Sequence, residues 1–406
     1  MKSIIYSILS VALLAFILTS CGKDNNGDPI IPGFEEDSGD HPLLWKMHLG
    51  TGLSPYGSSF PAIDLDNNLY FSFYNNEESV VQVLSLDKNG NQRWRTNVGE
   101  GVMAIISENP PIFYKDKVFI TTSNPYSLIC LNAASGQVEW EHNLTEEYDF
   151  TFHLAIAANN DRIYLYGMQL NMDNDGFLLA YDLSGNEIWL QMVNVYANGG
   201  LSVHNNDIYF GDTDYMYCYT DGGNSADSSW SVQISEDAKT SIGGLGFMHI
   251  DDEGDISTIC NEGIAIVSPQ GDLIRKIVLD ESYDISYGQY SITEDGSFLI
   301  GNGNLVKYSK TGSKLWESDI TGAIMNPSFH QCPIIATDGS MYDGQLFGLY
   351  SLKADGSLNW KANEASQSAD YGNLHTPTLN YEGNIIIVAS EAGEIRCFKG
   401  DGNIFS

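Results

Sequence analysis

Seven tryptophans recur along the chain at nearly constant spacing, and this periodicity constrains the fold more than any other feature. Successive intervals are 49, 46, 49, 41, 86 and 44 residues, and the interval of 86 is a double step that lacks a tryptophan near residue 275. A fixed period in this range is typical of one supersecondary unit repeated many times. The series consists of Trp45, Trp94, Trp140, Trp189, Trp230, Trp316 and Trp360.

Each period has the pattern of four short β-strands. The clearest copy, residues 178–189 (LLAYDLSGNEIW), has an apolar strand, a glycine turn at Gly185 and a return strand that opens on Trp189. This pattern is typical of a β-hairpin. A second hairpin precedes it, with DRIYLYGM at 161–168 as its second strand. Four strands in about 45 residues match one propeller blade.

The chain from Trp45 to Ser406 accommodates eight such periods. We therefore predict an all-β fold, an eight-bladed β-propeller of four-stranded antiparallel blades over residues 43–406. Each tryptophan should open the fourth, outer strand of a blade, where its ring fills the gap between blades and its N–H bonds a neighbouring backbone. The strand Leu43 to Leu49 is predicted to close the ring as the outer strand of the last blade, and the tail Asn403 to Ser406 competes for that place.

The N-terminus has the pattern of a lipoprotein signal. Lys2 precedes an apolar run from Ile4 to Leu18 that ends in Leu-Thr-Ser-Cys21, and this run is short for a membrane span. We predict that residues 1–20 are a signal peptide and that Cys21 is lipidated, with an uncleaved anchor helix as the alternative. Residues 21–42, rich in Gly, Pro, Asp and Asn, are predicted to form a flexible tether.

The predicted localisation and the net charge of the chain limit the classes of partner that it can bind. Lys23-Asp24 resembles the surface-export signal of lipoproteins in one Gram-negative phylum. We expect an outer-membrane, lipid-anchored protein exposed at the cell surface, with the periplasmic face as the alternative. The 53 acidic residues against 19 basic ones give a net charge of −34, which disfavours nucleic acid as a partner.

The strand–turn pattern that ends Asp-x-x-Gly-x-x-x-Trp, as at residues 182–189, resembles the repeats of the PQQ-like (quinoprotein-type) β-propellers. That group includes quinoprotein alcohol dehydrogenases and the non-enzymatic propeller lipoprotein of the outer-membrane barrel-assembly machine. The resemblance implies a β-propeller fold. It leaves two expected functions, a scaffold and an oxidoreductase, between which the fold alone does not decide.

The dehydrogenase branch implies a quinone pocket with two adjacent cysteines, a tryptophan floor and a calcium-binding Glu/Asn/Asp set. The cysteines of this chain, at 21, 130, 218, 260, 332 and 397, are never adjacent, and every tryptophan has a structural place in the repeat. We predict no catalytic residues and no PQQ cofactor, and keep a PQQ-dependent quinoprotein oxidoreductase as the alternative. Cys130, Cys218 and Cys397 share a strand position with small residues and are predicted to be buried, although a disulfide stays open in an oxidising compartment.

Three acidic turns could attract calcium: Asp64–Asn68, Asp173–Gly176 and Asp251–Asp255. None has the twelve-residue EF-hand spacing with a closing glutamate. We expect turn-forming roles and no metal site, with calcium as the alternative.

The connections between one blade's outer strand and the next blade's innermost strand should open on one face around the central channel. Four of them, within 145–153, 194–200, 280–290 and 364–375, carry aromatic residues beside carboxylates, a combination that suits sugar rings or peptide chains. Plugging the channel is the alternative role for any of these rings. We predict a monomeric, non-catalytic binding or scaffold module whose protein or glycan partner contacts Tyr148, Phe150, Tyr196, Tyr283, Tyr287, Tyr371 and His375.

Overall fold

The computed structural model shows a ring of eight antiparallel sheets, each of which is one blade. Seven sheets have four strands in consecutive spatial order, and the remaining one has five. The structure describes residues 43–50, 53–54, 60–75, 77–100, 110–123, 125–150, 152–168, 176–193, 200–212, 214–235, 248–260, 262–279, 290–302, 304–318, 333–345, 348–362, 377–389 and 393–401.

The strand β1 spans Leu43–His48, and the blades are numbered from the strands that follow it. Blade 1 contains β2 Leu53–Ser54, β3 Ala62–Ile63, β4 Leu69–Asn75, β5 Val80–Leu86 and β6 Gln92–Glu100. Blade 2 contains β7 Ile112–Tyr114, β8 Lys117–Thr122, β9 Ser127–Asn132 and β10 Val138–Asn143. Blade 3 contains β11 Phe152–Asn159, β12 Arg162–Met168, β13 Gly176–Asp182 and β14 Glu187–Val193. Blade 4 contains β15 Leu201–His204, β16 Asp207–Gly211, β17 Tyr215–Asp221 and β18 Ala226–Gln233.

The second half of the ring repeats this order. Blade 5 contains β19 His249–Ile250, β20 Ile256–Cys260, β21 Gly263–Val267 and β22 Leu273–Val278. Blade 6 contains β23 Tyr290–Ile292, β24 Phe298–Asn302, β25 Asn304–Tyr308 and β26 Lys314–Ser318. Blade 7 contains β27 Ile334–Ile335, β28 Met341–Gln345, β29 Gly348–Leu352 and β30 Leu358–Ala362. Blade 8 contains β31 Thr378–Leu379, β32 Ile385–Ala389, β33 Glu394–Phe398 and, as its outer strand, β1.

The pairing of β1 with β33 closes the ring, so the predicted eight-bladed propeller and its closure by the N-terminal strand are confirmed. Trp45 lies opposite Cys397, and His48 lies opposite Glu394. The competing tail Asn403 to Ser406 lies outside the described residues, as do the predicted signal peptide, Cys21 and the tether. Within the part of the chain that the structure describes, no helix has the length and apolarity needed to cross a membrane.

The tryptophans join neighbouring blades. Trp94 of blade 1 packs on the turn glycine of blade 2, Gly136, so closely that a Cβ there would lie 2.4 Å from the ring atom Cε3. The indole Nε1 of Trp94 donates to the carbonyl oxygen of Ala133 in the same turn at 2.9 Å. Trp45, Trp140 and Trp230 donate in the same way to the backbone of the following blade. The predicted hydrogen bond to a neighbouring backbone is therefore present at these four tryptophans, whereas Trp189 and Trp360 donate to the carboxylates of Asp221 and Asp401.

Arginine takes the place of the missing tryptophan between blades 5 and 6. Arg275 in β22 donates from Nη1 to the carbonyl oxygen of Lys310 at 3.0 Å. At other blade junctions the carbonyl at this turn position accepts the hydrogen bond of the indole N–H. The next turn glycine, Gly312, has Ile277 as its nearest neighbour, and a Cβ at Gly312 would lie 3.7 Å from that side chain. The interblade hydrogen bond is kept, while the aromatic contact with the glycine is lost.

The core lies between adjacent blades, where each sheet buries one face against the next. Between blades 2 and 3, for example, Phe119 and Leu128 pack against Leu165 and Phe177. The small side chains opposite the tryptophans are fully buried in these layers, as predicted. Burial raises the pKa of the Cys130 and Cys397 thiols to about 12, so both are poor nucleophiles. The four described cysteines, Cys130, Cys218, Cys260 and Cys397, are free thiols.

Candidate functional site

A cavity of about 700 Å³ lies along the central channel. Its described wall comes from the innermost strands β19, β23, β27, β31 and β3 and the residues beside them, which belong to blades 5 to 8 and blade 1. These strands are two or three residues long. Such short segments have no hydrophobic periodicity that could reveal them in a sequence, and the cavity was accordingly not predicted.

The wall of this cavity, which we call the axial pocket, is nearly free of ionisable groups. Among the described residues that line it, none is Asp, Glu, Lys, Arg or Cys, and His249 is the one histidine. General acid–base catalysis by paired carboxylates and a carboxylate-rich metal site both require groups that the described residues of this wall do not supply. The arrangement suits non-covalent binding.

The helix α1, Leu144–Tyr148, and the two residues after it place two of the predicted ligand-binding aromatics in the groove between blades 2 and 3. The side chain of Asn143 caps its N-terminus by accepting from the backbone N–H of Glu146 at 3.1 Å. Phe150 follows the helix with 1% exposure, and its ring stacks on Phe177 at a centroid distance of 3.4 Å. Phe150 is thus a core residue in this structure, because its ring is enclosed by the interblade layer.

Tyr148 packs in the same groove between blades 2 and 3, and it is not among the described residues that line the axial pocket. Its hydroxyl donates to the carboxylate of Glu187 at the start of β14, and it accepts from the hydroxyl of Tyr181 at 3.2 Å. Burial, and then the bond to Glu187, raise the pKa of Tyr148 to about 12. Tyr196, Tyr283, Tyr287, Tyr371 and His375 lie outside the described residues, so their role in ligand binding stays a prediction.

The acidic turn Asp64–Asn68 has the structural role expected of it. The Asp64 carboxylate accepts from the backbone N–H groups of Asp66 and Asn68, from the Asn68 side chain and from the Tyr70 hydroxyl. Residues 173–175 of the second acidic turn lie outside the described residues.

The third acidic turn brings carboxylates together. Single ligand atoms of Asp251, Glu253 and Asp255 lie within 4.8 Å of one another. The Lys310 ammonium lies 3.6 Å from Glu253 and 3.8 Å from Asp251, so a protein cation already offsets part of this negative charge. Burial, followed by the neighbouring carboxylates, raises the pKa of Asp255. The expectation that no metal binds here stays a prediction.

The described residues do not fit the PQQ cofactor. The sequence has no adjacent cysteine pair, and the described wall of the axial pocket has no lysine or arginine to meet the carboxylates of this quinone. Burial of several carboxylates without cationic or hydrogen-bonding partners is strongly unfavourable.

The eight antiparallel blades form the predicted β-propeller, and at five junctions between described residues a tryptophan packs on a turn glycine, as in the PQQ-like repeats that the sequence pattern resembles. Residues 77–224 match the model of a family described as outer membrane protein assembly factor BamB. No curated protein sequence matches the chain.

Solved structures share the fold at low sequence identity. A europium-containing methanol dehydrogenase is 12% identical with a TM-score of 0.62, over 89% of this chain and 86% of that one. Sqt1 from Saccharomyces cerevisiae is 10% identical with a TM-score of 0.64, over 89% of this chain and 100% of that one. BamB from Moraxella catarrhalis is 13% identical over 88% of this chain and 99% of that one, but its TM-score of 0.40 supports no inference. These likenesses establish the fold and leave the activity open.

Proposed function

We propose that this protein is a non-catalytic, lipid-anchored scaffold module of the cell envelope that assembles with a protein partner. The chemistry of the axial pocket carries the proposal, because its described wall lacks the charged groups that catalysis would use. The match of residues 77–224 to a family described as an assembly factor supports a role in a protein complex.

The face formed by the connections from each outer strand to the next innermost strand is the proposed docking surface. All these connections start and end at one face, because every blade has the same four antiparallel strands. In the described connection, Glu147 and Asp149 are exposed beside Tyr148. Together with the net charge of −34, these carboxylates favour a partner with a basic surface, which complementary charge would steer into contact.

A glycan is the second candidate partner, and the surroundings of Tyr148 favour it. Its partly exposed ring lies beside the carboxylates of Glu147 and Glu187, which are groups able to accept hydrogen bonds from sugar hydroxyls. A quinoprotein oxidoreductase remains the alternative function because a methanol dehydrogenase has the same fold. It predicts red-shifted quinone absorbance and dye-linked alcohol oxidation after addition of PQQ and calcium.

Changing Cys21 to Ala is expected to abolish lipid attachment, because the thiol of this residue is the proposed acylation site. Cells fed radiolabelled palmitate should label the wild-type protein and leave the Cys21→Ala variant unlabelled, and that variant should leave the membrane fraction. The matched control is Cys332→Ala, which should be labelled like wild type. Equal labelling of the Cys21→Ala variant would contradict the anchor.

A photo-crosslinking amino acid at position 283 or 371, in two predicted connections, is expected to trap a protein partner in living cells. The same amino acid at Asn89 or Asp355, in turns at the opposite face of the ring, is the matched control and should give no such adduct. Adducts should appear as discrete high-mass bands and be identified by mass spectrometry. Equal adducts from both faces, or saturable glycan binding that Tyr283→Ala and Tyr371→Ala abolish in the absence of adducts, would overturn the protein-partner proposal.

A further inference from the structure

The axial pocket is confined to one part of the ring. The described residues that line it come from blades 5 to 8 and blade 1, and no described residue of blades 2 to 4 is among them. The innermost strands of blades 3 and 4 are longer than those of the pocket wall, with eight residues in β11 and four in β15, while β7 of blade 2 has three. Strand β11 also packs against β7 and β15, so the innermost strands of blades 2 to 4 contact one another on this side of the ring.

The pocket wall is apolar in a strongly acidic protein. Isoleucine, leucine, proline and phenylalanine side chains dominate it, among them Ile63, Ile292, Ile334, Ile335 and Leu379. None of the 53 acidic residues of the chain is among the described lining residues. A volume of about 700 Å³ lies within the range of about 300–1,000 Å³ that is typical of small-molecule sites.

Two polar side chains on this wall are available to a ligand. Within the described residues, the hydroxyl of Thr378 and the imidazole of His249 have no side-chain hydrogen-bond partner. Other polar groups on the wall are already engaged: Ser291 donates to the carbonyl oxygen of Pro333, and the Asn380 side chain accepts from the backbone of its own turn. A hydroxyl and an imidazole can each orient one polar group of a bound molecule.

We propose that the axial pocket binds a neutral, largely apolar small molecule that carries a hydroxyl, amine or carbonyl group. An anionic ligand is excluded for two reasons. Its charge would lose hydration against an apolar wall without a lysine or arginine partner among the described residues, and the net charge of −34 would repel it. The proposal does not depend on the identity of a protein partner.

A matched pair of fluorescent probes tests the charge preference. N-phenyl-1-naphthylamine is neutral, and 8-anilino-1-naphthalenesulfonate is the same ring system with a sulfonate. The chain from residue 22 keeps every described strand of the closed ring and should bind the neutral probe saturably at one site, at least tenfold more tightly than the sulfonate at pH 8. The absence of saturable binding, or equal affinities for the two probes, would overturn the proposal.

Substitutions at Thr378 locate the site. Thr378→Phe should fill part of the pocket and weaken the neutral probe at least tenfold, whereas Thr378→Val should weaken it only a few-fold through loss of the hydroxyl. The matched control Ser231→Phe, at an exposed position on β18, should leave binding unchanged. Unaltered affinity for the neutral probe in a Thr378→Phe variant whose thermal unfolding matches that of wild type would refute the proposed location of the site. If Thr378→Phe does not fold, the other two variants decide. The proposed location is refuted if Thr378→Val binds the neutral probe as tightly as wild type while Ser231→Phe binds it more weakly.

Discussion

Replacing Asp221 with alanine is expected to lower the free energy of unfolding by about 3–5 kcal/mol, the usual effect of removing one partner of a buried ion pair. The Asp221 carboxylate joins blades 3 and 4. It accepts from Arg162 Nη1 at 2.6 Å, from the Tyr164 hydroxyl at 2.7 Å and from Trp189 Nε1 at 3.2 Å. Its side chain is only 5% exposed, so alanine would leave these three side-chain donors and the backbone N–H of Gly223 without their acceptor in a poorly hydrated site.

Equilibrium urea unfolding, followed by both circular dichroism and tryptophan fluorescence, measures this effect when the two transitions coincide. Asp227→Ala is the matched control, because it removes an exposed aspartate from the neighbouring strand β18 and should change stability by about 0.5 kcal/mol or less. Asp221→Asn keeps an acceptor oxygen and should fall between the two. A loss in Asp221→Ala no larger than that in Asp227→Ala would contradict the interblade role.

Replacing Gly136 with alanine is expected to lower the free energy of unfolding by roughly 2–5 kcal/mol. About 1–2 kcal/mol comes from placing a Cβ on a residue with positive φ, and about 1–3 kcal/mol comes from overpacking against the tryptophan ring. The φ of Gly136 is +71°, and a Cβ there would lie 2.4 and 2.5 Å from two atoms of the Trp94 ring. The ring cannot retreat freely, because it is 8% exposed and its N–H is bonded to Ala133.

Gly312→Ala isolates the contribution of the tryptophan. Gly312 has a similar φ of +91°, but its nearest neighbour is Ile277 at 3.7 Å, since Arg275 stands at the tryptophan position of the preceding blade. We expect only the backbone part of the penalty, about 1–2 kcal/mol, in the same urea experiment. Equal losses in the two variants would show that the indole–glycine contact contributes nothing to stability.

The propeller could be predicted from the sequence because the same packing requirement recurs in every blade. Trp189, the glycine turn before it and the small residue Ala180 opposite it form one unit, and its repetition makes the count of eight visible. The position of Arg275 could also be predicted, because alignment of blade 5 with the other repeats puts this residue where they have tryptophan. Strand β28, Met341–Gln345, is harder to predict, because its MYDGQ sequence has little β-strand alternation.

The candidate site was less predictable, because it depends on how separate segments meet. Tyr148 was expected beside the channel, and the short helix before Asp149 instead turns it towards Glu187 of the next blade. The axial pocket arises from five innermost strands that are distant in sequence. Residues such as Ile335 and Thr378 come together only after the ring has closed.

Closure by β1 also constrains the order in which the protein can fold. Leu43 pairs with Phe398, so the first strand to be synthesised must wait for nearly the whole chain before its partner exists. Pairing at such sequence separation is slow, and until it occurs the edges of β1 and β33 are open to other chains. The yield of closed rings would therefore depend on how long this one edge stays unpaired.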